Sequence, residues 1–357
     1  MGRYITFPEL LIWLPLLAGM LVFFTKREQV AKALALALSL VTLFVSVSAL
    51  FFTADNFATW NAVNYYYANN IGSTFHVGLD GTGRILTLLT AIAFPLIFLA
   101  TYRSSYKNPS SYYGLMLLAQ AGLMGVFCSM DALLFYFFWE LALIPVYFLC
   151  SKWGAEKRIQ ATFKFFVYTF LGSLLMLIGI IYVYLHTPGR MFEDGTQVLH
   201  SFSLKAFQNA QLTSGEQNWL FWLFFVAFAV KMPVFPFHTW QPDTYEQAPA
   251  STTMVLSGVM VKMGIFAVIR WLVPIFPLAA IRFDNIVIGL SVVGMIYASL
   301  IAIRQDDIKR FIAYSSIAHI GLMCAAIFTR SHIGMQGVML QMFSHGVNII
   351  GDRKSTR

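Results

Sequence analysis

Long apolar runs separated by short polar or turn-forming links recur along this chain. A helix needs about 20 mostly apolar residues to cross the hydrocarbon core of a membrane, and about eleven segments meet that requirement. We predict membrane-spanning helices near residues 8–25, 30–52, 84–102, 112–129, 132–150, 164–185, 218–238, 251–273, 285–303, 309–328 and 333–351. Two longer links, 53–83 and 186–217, are polar and rich in turn residues. The pattern therefore predicts an all-α polytopic membrane protein.

Composition supports this class. Of 357 residues, 58% are hydrophobic and 11% are charged, whereas soluble domains carry about 25% charged residues. The apolar N-terminus lacks the basic start and small-residue cleavage site of a signal peptide, so we interpret it as the first helix. Three cysteines, Cys128, Cys150 and Cys324, lie singly in apolar segments. They are interpreted as small hydrophobic side chains rather than disulfide partners or metal ligands.

The net charge of +8 is explained by where the basic residues lie. Loops after the odd-numbered spans, together with the C-terminal tail, hold about twice as many Lys and Arg as the loops on the other side, which the positive-inside rule assigns to the cytoplasm. This distribution thus predicts an N-terminus on the non-cytoplasmic side, and we expect the membrane to be a bacterial inner membrane. This distribution argues against a nucleic-acid partner.

A small set of ionisable residues lies in the interior of the predicted spans, away from their ends: Glu140, Lys231, Lys262, His319 and His345. A charge at the bilayer centre costs about 2.5–3.5 kcal/mol or more, so such residues usually face a polar interior. Burial disfavours a charged lysine and a nearby carboxylate favours it, so the lysines and the glutamate together suit proton transfer. For either histidine alone, a tolerated side chain near a span end remains an alternative. By contrast, Asp80 and Asp131 stand at span entrances and are predicted to be N-caps.

The stretch "VAFAVKMPVFPFHTW" (226–240) places Pro233 and Pro236 directly after Lys231. Each proline lacks a backbone donor and clashes with the preceding turn, which predicts a helix break there. Broken backbone at membrane depth is tolerated where it lines a cavity or is buried in protein, and it is typical of transporter ion sites. A simple proline kink is the alternative.

Four stretches carry a family resemblance: "FYFFWELALIPVYFLCSKWG" (135–154), "KFFVYTFLGSLLMLIG" (164–179), the segment 231–271 that begins "KMPVFPFHTWQPD", and "DDIKRFIAYSSIAHIGLM" (306–323). They resemble the antiporter-like membrane subunits of respiratory complex I, in particular those of the M type. The resemblance implies an antiporter-like helical bundle of about fourteen helices with inverted repeats, of which about eleven are present here. It divides the chain into N-terminal helices (1–110), a first repeat (111–273) with its broken helix near 231–238, a partial second repeat (284–351) and a hydrophilic tail (352–357).

The resemblance also implies roles for individual residues. Glu140 would modulate the neighbouring lysine, Lys231 would carry the proton at the break, and Lys262 would link the two halves. His319 and His345 match the polar axis towards the second half, and His238 matches a family position whose role is less clear. No redox cofactor is expected in this chain, because NADH, FMN, iron–sulfur clusters and quinone are bound by other subunits of NADH:quinone oxidoreductase. The expected partners are the other membrane-arm subunits of the complex, including neighbouring antiporter-like subunits, and the lipid bilayer.

Two features leave alternatives open. The ending "DRKSTR" departs from the family, where a hydrophobic continuation holds the second broken helix, so we expect this chain not to complete proton translocation alone. The ending is either that of a short lineage-specific subunit or a truncation. A subunit of a multi-subunit Na⁺/H⁺ antiporter, a membrane-bound hydrogenase subunit and a purely structural brace of the membrane arm are the competing functions.

Overall fold

The computed structural model describes residues 5–51, 62–68, 72–191, 197–198 and 200–355. Helices occupy each of the eleven predicted spans, which confirms the all-α class. The long helices are α1 (Phe7–Phe23), α2 (Glu28–Phe51), α3 (Gly81–Thr101), α4 (Pro109–Cys128), α5 (Ala132–Trp153), α6 (Arg158–Leu185), α8 (Ser214–Lys231), α10 (Ala250–Ile275), α11 (Pro277–Ile303), α12 (Ile308–Phe328) and α13 (His332–Ser355), and the short ones are α7 (Leu204–Gln208) and α9 (Trp240–Gln247).

Eight of these helices combine the length and apolarity needed to cross a membrane, and α1 is a shorter apolar helix. Helices α8 and α13 carry more polar residues and fall outside that group. The chain is therefore a multi-pass membrane protein. Cys128, Cys150 and Cys324 are buried free thiols, as predicted.

The two long links contain short antiparallel hairpins that the sequence analysis did not predict. In the first link, β1 (Ala62–Ala68) pairs with β2 (Ser73–Gly78). In the second, β3 (Arg190–Met191) pairs with β4 (Gln197–Val198). Strand β1 reads "AVNYYYA", and β-branched and aromatic residues of this kind favour strands. Parts of both links lie outside the described residues.

Helix α10 runs through the centre of the bundle. In its most apolar stretch 94% of the residues are buried, compared with 28% in α11 and 33% in α2. A helix that is apolar on all sides must be surrounded by protein or lipid, and these values place α10 inside and α2 and α11 at the perimeter. Two π-helical turns, Leu256–Met260 and Val268–Leu272, interrupt α10. Such turns are rare and occur most often at functional sites.

Asp80 and Asp131 are helix N-caps, as predicted. The Asp80 carboxylate accepts from the Gly83 amide at 2.7 Å, and Asp131 accepts from the first turn of α5. Asp131 also accepts from the Ser73 hydroxyl and the Thr74 amide. Because Ser73 and Thr74 belong to β2, this one side chain ties the first hairpin to the start of α5.

The predicted seventh span, 218–238, is divided at the break that its prolines predict: α8 ends at Lys231 and the chain is not helical again until Trp240. The last span was predicted to end at residue 351 before a separate tail, whereas α13 continues to Ser355. Polar residues can extend a helix beyond its apolar segment, which hydropathy alone does not register.

Candidate functional site

The predicted helix break after Lys231 is confirmed, and its backbone is satisfied locally. In a regular helix the amide of residue 233 would donate to the Ala229 carbonyl, but Pro233 has no amide hydrogen. Instead the Val234 amide donates to Ala229 at 3.0 Å. This leaves the Val230 carbonyl, which accepts from the Trp240 indole N–H at 2.9 Å. A buried carbonyl without a hydrogen-bond donor is costly. The Trp240 bond removes that cost and so stabilises the helix break at membrane depth.

Lys231 is the last residue of α8, and only 2% of it is exposed. Its Nζ has no hydrogen-bond partner among the residues that the structure describes. The Nζ lies 5.4 Å from the centre of the Trp139 ring, a distance at which a cation is attracted to an aromatic face. The next residue along α5, Glu140, is the acidic group that acts electrostatically on Lys231. Glu140 is only partly buried, and its Oε1 is unpaired within the described ranges.

Lys262 is fully buried at the centre of α10, and its amine has two hydrogen-bond partners. Its Nζ donates to the Ser257 carbonyl at 2.6 Å and lies 2.8 Å from His345 Nδ1. The other ring nitrogen of His345, Nε2, lies 3.0 Å from the Ser316 hydroxyl. Lysine, histidine and serine thus form a continuous hydrogen-bonded series across α10, α13 and α12. Ser257 belongs to the first π-helical turn of α10.

His319 joins this series only at its edge. Its ring centre lies 5.4 Å from that of His345, and its Nδ1 lies 3.2 Å from Gln341 Nε2. His319 is exposed, whereas His345 is 4% exposed. The structure therefore brings the two predicted histidines together and makes His345 the one bonded to the buried lysine.

His238 has a different setting. It lies within the break, is 3% exposed, and stacks on the Phe235 ring at 5.6 Å. The Tyr297 ring on α11 meets it edge to face at 5.3 Å. Its surroundings are aromatic, so it packs the break against α11.

A close helix crossing brings α10, which carries Lys262, against the end of α8. A Cβ atom on Gly264, two residues after Lys262, would lie 2.7 Å from Met232 Cβ and 2.8 Å from the Phe228 carbonyl oxygen. Real Cβ atoms do not approach that closely, so only glycine allows α10 to touch the end of α8. Met232 follows Lys231 directly, so the crossing places the turn of α10 that contains Gly264 against the end of α8 that carries Lys231.

A cluster of charged side chains fixes the other end of the break. On α9, Asp243 pairs with Lys164 of α6 at 2.7 Å and with Arg310 of α12 at 3.4 Å. Arg310 also pairs with Glu246 at 2.8 Å. These four residues line a cavity of about 360 Å³. Because α6 and α12 lie in the predicted first and second repeats, α9 connects the two halves electrostatically.

Sequence reasoning missed a buried charge at the far end of α10. Arg270 was not among the ionisable residues singled out inside the spans, but it lies inside α10 and is 5% exposed. Its guanidinium pairs with Asp80 and donates to the Phe127 and Ser129 carbonyls at 3.2 and 3.3 Å. Its place near the end of a predicted span made it resemble a flanking residue. The sequence feature that could have indicated it was Asp80, a carboxylate at a span entrance. Asp80 was interpreted only as a helix cap, but it is also the counter-ion of Arg270.

No group of three or more His, Cys, Asp or Glu side chains suited to a metal ion occurs in the described part of the chain. The polar groups of the site are instead amines, imidazoles, a carboxylate and hydroxyls. These groups accept and donate protons, so the site can hold and transfer a proton.

Fold and site together define a multi-pass membrane protein with titratable groups around a broken helix. Residues 129–351 match the family model described as "NADH:quinone oxidoreductase/Mrp antiporter, TM". NADH-quinone oxidoreductase subunit M of Rickettsia prowazekii is 36% identical over 346 residues, covering 94% of this chain and 68% of the relative. The chain belongs to the NADH:quinone oxidoreductase/Mrp antiporter transmembrane family.

Two further comparisons bear on fold and function. F(420)H(2) dehydrogenase subunit M of Methanosarcina mazei is 34% identical and covers 95% of this chain and 68% of the relative. A chain of respiratory complex I from Thermus thermophilus has the same fold, with a TM-score of 0.86 over 97% of this chain and 70% of that one, at 24% identity. The fold is thus that of an antiporter-like complex I membrane subunit.

Proposed function

We propose that this chain carries protons through the membrane arm of a respiratory oxidoreductase. Lys231 takes up the proton at the helix break, Lys262 receives it at the centre of α10, and His345 passes it towards α12 and α13. The observation that carries the proposal is the hydrogen-bonded series Lys262–His345–Ser316, which is buried in the protein interior. Burying a charge in a membrane protein is costly, so buried ionisable residues usually serve a function, and this one is joined to groups that can exchange its proton.

Glu140 has a regulatory part in this scheme. Its carboxylate acts on Lys231 from the neighbouring helix, and opposite charges attract more strongly in a poorly screened interior. When Glu140 is ionised, Lys231 holds its proton; when the negative charge moves away, Lys231 releases it. Partial exposure of Glu140 leaves it open to charges from a neighbouring subunit, through which energy from the redox reaction reaches the lysine.

The redox reaction itself belongs to other subunits. We infer that NADH, FMN, iron–sulfur clusters and quinone are bound elsewhere in the complex, and that this chain is part of an enzyme only as a subunit. The relatives support this division, because one is named for NADH-quinone oxidoreductase and another for F(420)H(2) dehydrogenase. A membrane subunit similar to both is not tied to one electron donor.

Orientation follows from the charge distribution. We place the N-terminus on the non-cytoplasmic side of a bacterial inner membrane. The Lys164–Asp243–Arg310 cluster then faces the cytoplasm, since it lies next to the basic loops before α6 and α12. Proton uptake from that side would reach Lys231 first, because α9 joins the cluster directly to the break.

A Na⁺/H⁺ antiporter function is the second candidate, because the family model covers Mrp antiporters as well. The relative named for NADH-quinone oxidoreductase, 36% identical along most of this chain, favours the first proposal. Genes for quinone-site and iron–sulfur subunits beside this gene would support the oxidoreductase, and a short antiporter operon would support the alternative.

Lys262→Met tests the proposal in membranes that contain the assembled oxidoreductase. The methionine keeps the length and apolar body of the lysine and removes its proton. We expect proton translocation to fall by about tenfold or more, in line with the loss of a proton-transfer group, while electron transfer in uncoupled membranes persists. Lys152→Met, on the exposed surface of α5, is the matched control. Unchanged translocation by an assembled Lys262→Met complex would overturn the proposal and favour a structural role.

A further inference from the structure

The end of α10 that lies opposite the Lys164–Asp243–Arg310 cluster approaches a second and larger cavity. This cavity measures about 750 Å³ and is lined by polar side chains that include His76, Asp80, Ser203 and Lys205. It lies among the hairpins and the ends of α3, α5 and α6, on the predicted non-cytoplasmic side. A proton that left the lysines in this direction would reach the outside without passing His345.

Arg270 lies between this cavity and Lys262. Asp80 lines the cavity and its side chain is 42% exposed, whereas the Arg270 side chain behind it is 3% exposed. Arg270 follows Lys262 by eight residues of the same helix, or about 12 Å of rise. An arginine stays protonated in proteins. A fixed positive charge therefore separates the buried lysine from the outer cavity.

The surroundings of Arg270 hold its charge in place. The Phe127 and Ser129 carbonyls lie at the C-terminal end of α4, where the helix dipole is negative. The Phe266 ring lies 4.5 Å from the guanidinium carbon. On the α3 side, a Cβ at Gly83 would come within 2.8 Å of the Phe127 carbonyl oxygen, so α3 and α4 close tightly around the ion pair.

We propose that the Arg270–Asp80 pair is an electrostatic barrier that keeps protons on Lys262 from leaking into the outer cavity. Arginine charges block protons and cations in other pores by the same physics. The barrier sets the direction of transfer, because a proton on Lys262 is repelled from the outer end of α10 and leaves through His345. This inference rests on the proposed proton-carrying role of Lys262.

The test is the passive proton leak of the reconstituted complex, measured without substrate as the decay of a pH gradient across proteoliposomes. The double variant Asp80→Asn with Arg270→Gln removes both charges while keeping polar groups of similar shape, so no unpaired charge is left buried. We expect its leak to rise by about two- to threefold, since removing both charges changes the barrier only by the difference between the buried positive charge about 12 Å from Lys262 and the more exposed negative charge beyond it, at an effective dielectric constant of about 20. Adding Lys262→Met should return the leak to the wild-type value.

Two controls separate a barrier from a structural tie. Arg270→Lys keeps the positive charge but loses the several hydrogen bonds of the guanidinium. The proton leak of this variant should therefore stay at the wild-type value, even if the complex becomes less heat-stable. Lys205→Gln alters a charge in the same cavity and should have no effect. A wild-type leak in the double variant would overturn the proposed barrier. A raised leak that persists after Lys262→Met is added would also overturn it. Because the leak is measured at rest, it is independent of whether Lys262→Met lowers translocation during turnover.

Discussion

At the scale of single residues, the two buried lysines differ in how their amines are satisfied. Lys262 has two partners, and Lys231 has none among the described residues. We interpret Lys231, which lies at the helix break, as the loading position, and Lys262, which is held by two partners, as a fixed relay.

The two histidines give a test of this interpretation. His345 bonds to Lys262 directly, whereas His319 contacts the His345 ring and Gln341. We expect His345→Ala to reduce proton translocation by at least about tenfold, because it removes the acceptor next to Lys262, and His319→Ala to have a much smaller effect. Proton translocation relative to electron transfer in inverted membrane vesicles is the measurement. Equal effects of the two variants would contradict the assigned order.

At the scale of elements, the site depends on one close helix crossing. Gly264→Ala would place a methyl group against Met232 and the Phe228 carbonyl. Overpacking of this kind costs about 1–3 kcal/mol, so we expect a lower temperature of thermal inactivation and weaker proton translocation.

Gly289→Ala on α11 is the matched control, since nothing lies within 4 Å of a Cβ there. Alanine is the better helix former by about 1 kcal/mol, so this variant should be neutral or slightly more heat-stable. If Gly264→Ala behaved like Gly289→Ala in both assays, the close crossing would not matter for function.

At the scale of the whole molecule, hydropathy predicted where the helices lie and proline chemistry predicted the break. Both are local properties: about 20 apolar residues must span the bilayer wherever they occur, and Pro233 removes a backbone donor whatever surrounds it. The cost of burying charge likewise singled out Glu140, Lys231 and Lys262. The residue roles carried by the family resemblance stay predictions until variants are measured.

Contacts between distant segments could not be predicted in this way. The Trp240 indole bonded to Val230, the Asp80–Arg270 pair and the choice of His345 over His319 depend on how helices pack, and no spacing in the sequence encodes them. The positive-inside count even concealed Arg270, because it treats every basic residue near a span end as a loop residue. The hairpin β1–β2 was missed because the whole link was classed by its polar and turn-forming residues, although β1 carries the aromatic and β-branched residues that favour a strand.

The central claim is that a titratable amine at the helix break carries protons driven by electron transfer elsewhere. Its most direct test is the number of protons translocated per electron pair by the reconstituted oxidoreductase with Lys231→Met, compared with wild type and with the exposed control Lys152→Met. The account predicts a clear loss for Lys231→Met, with normal assembly and uncoupled electron transfer, and a wild-type ratio for Lys152→Met. A wild-type ratio for the assembled Lys231→Met complex would contradict it.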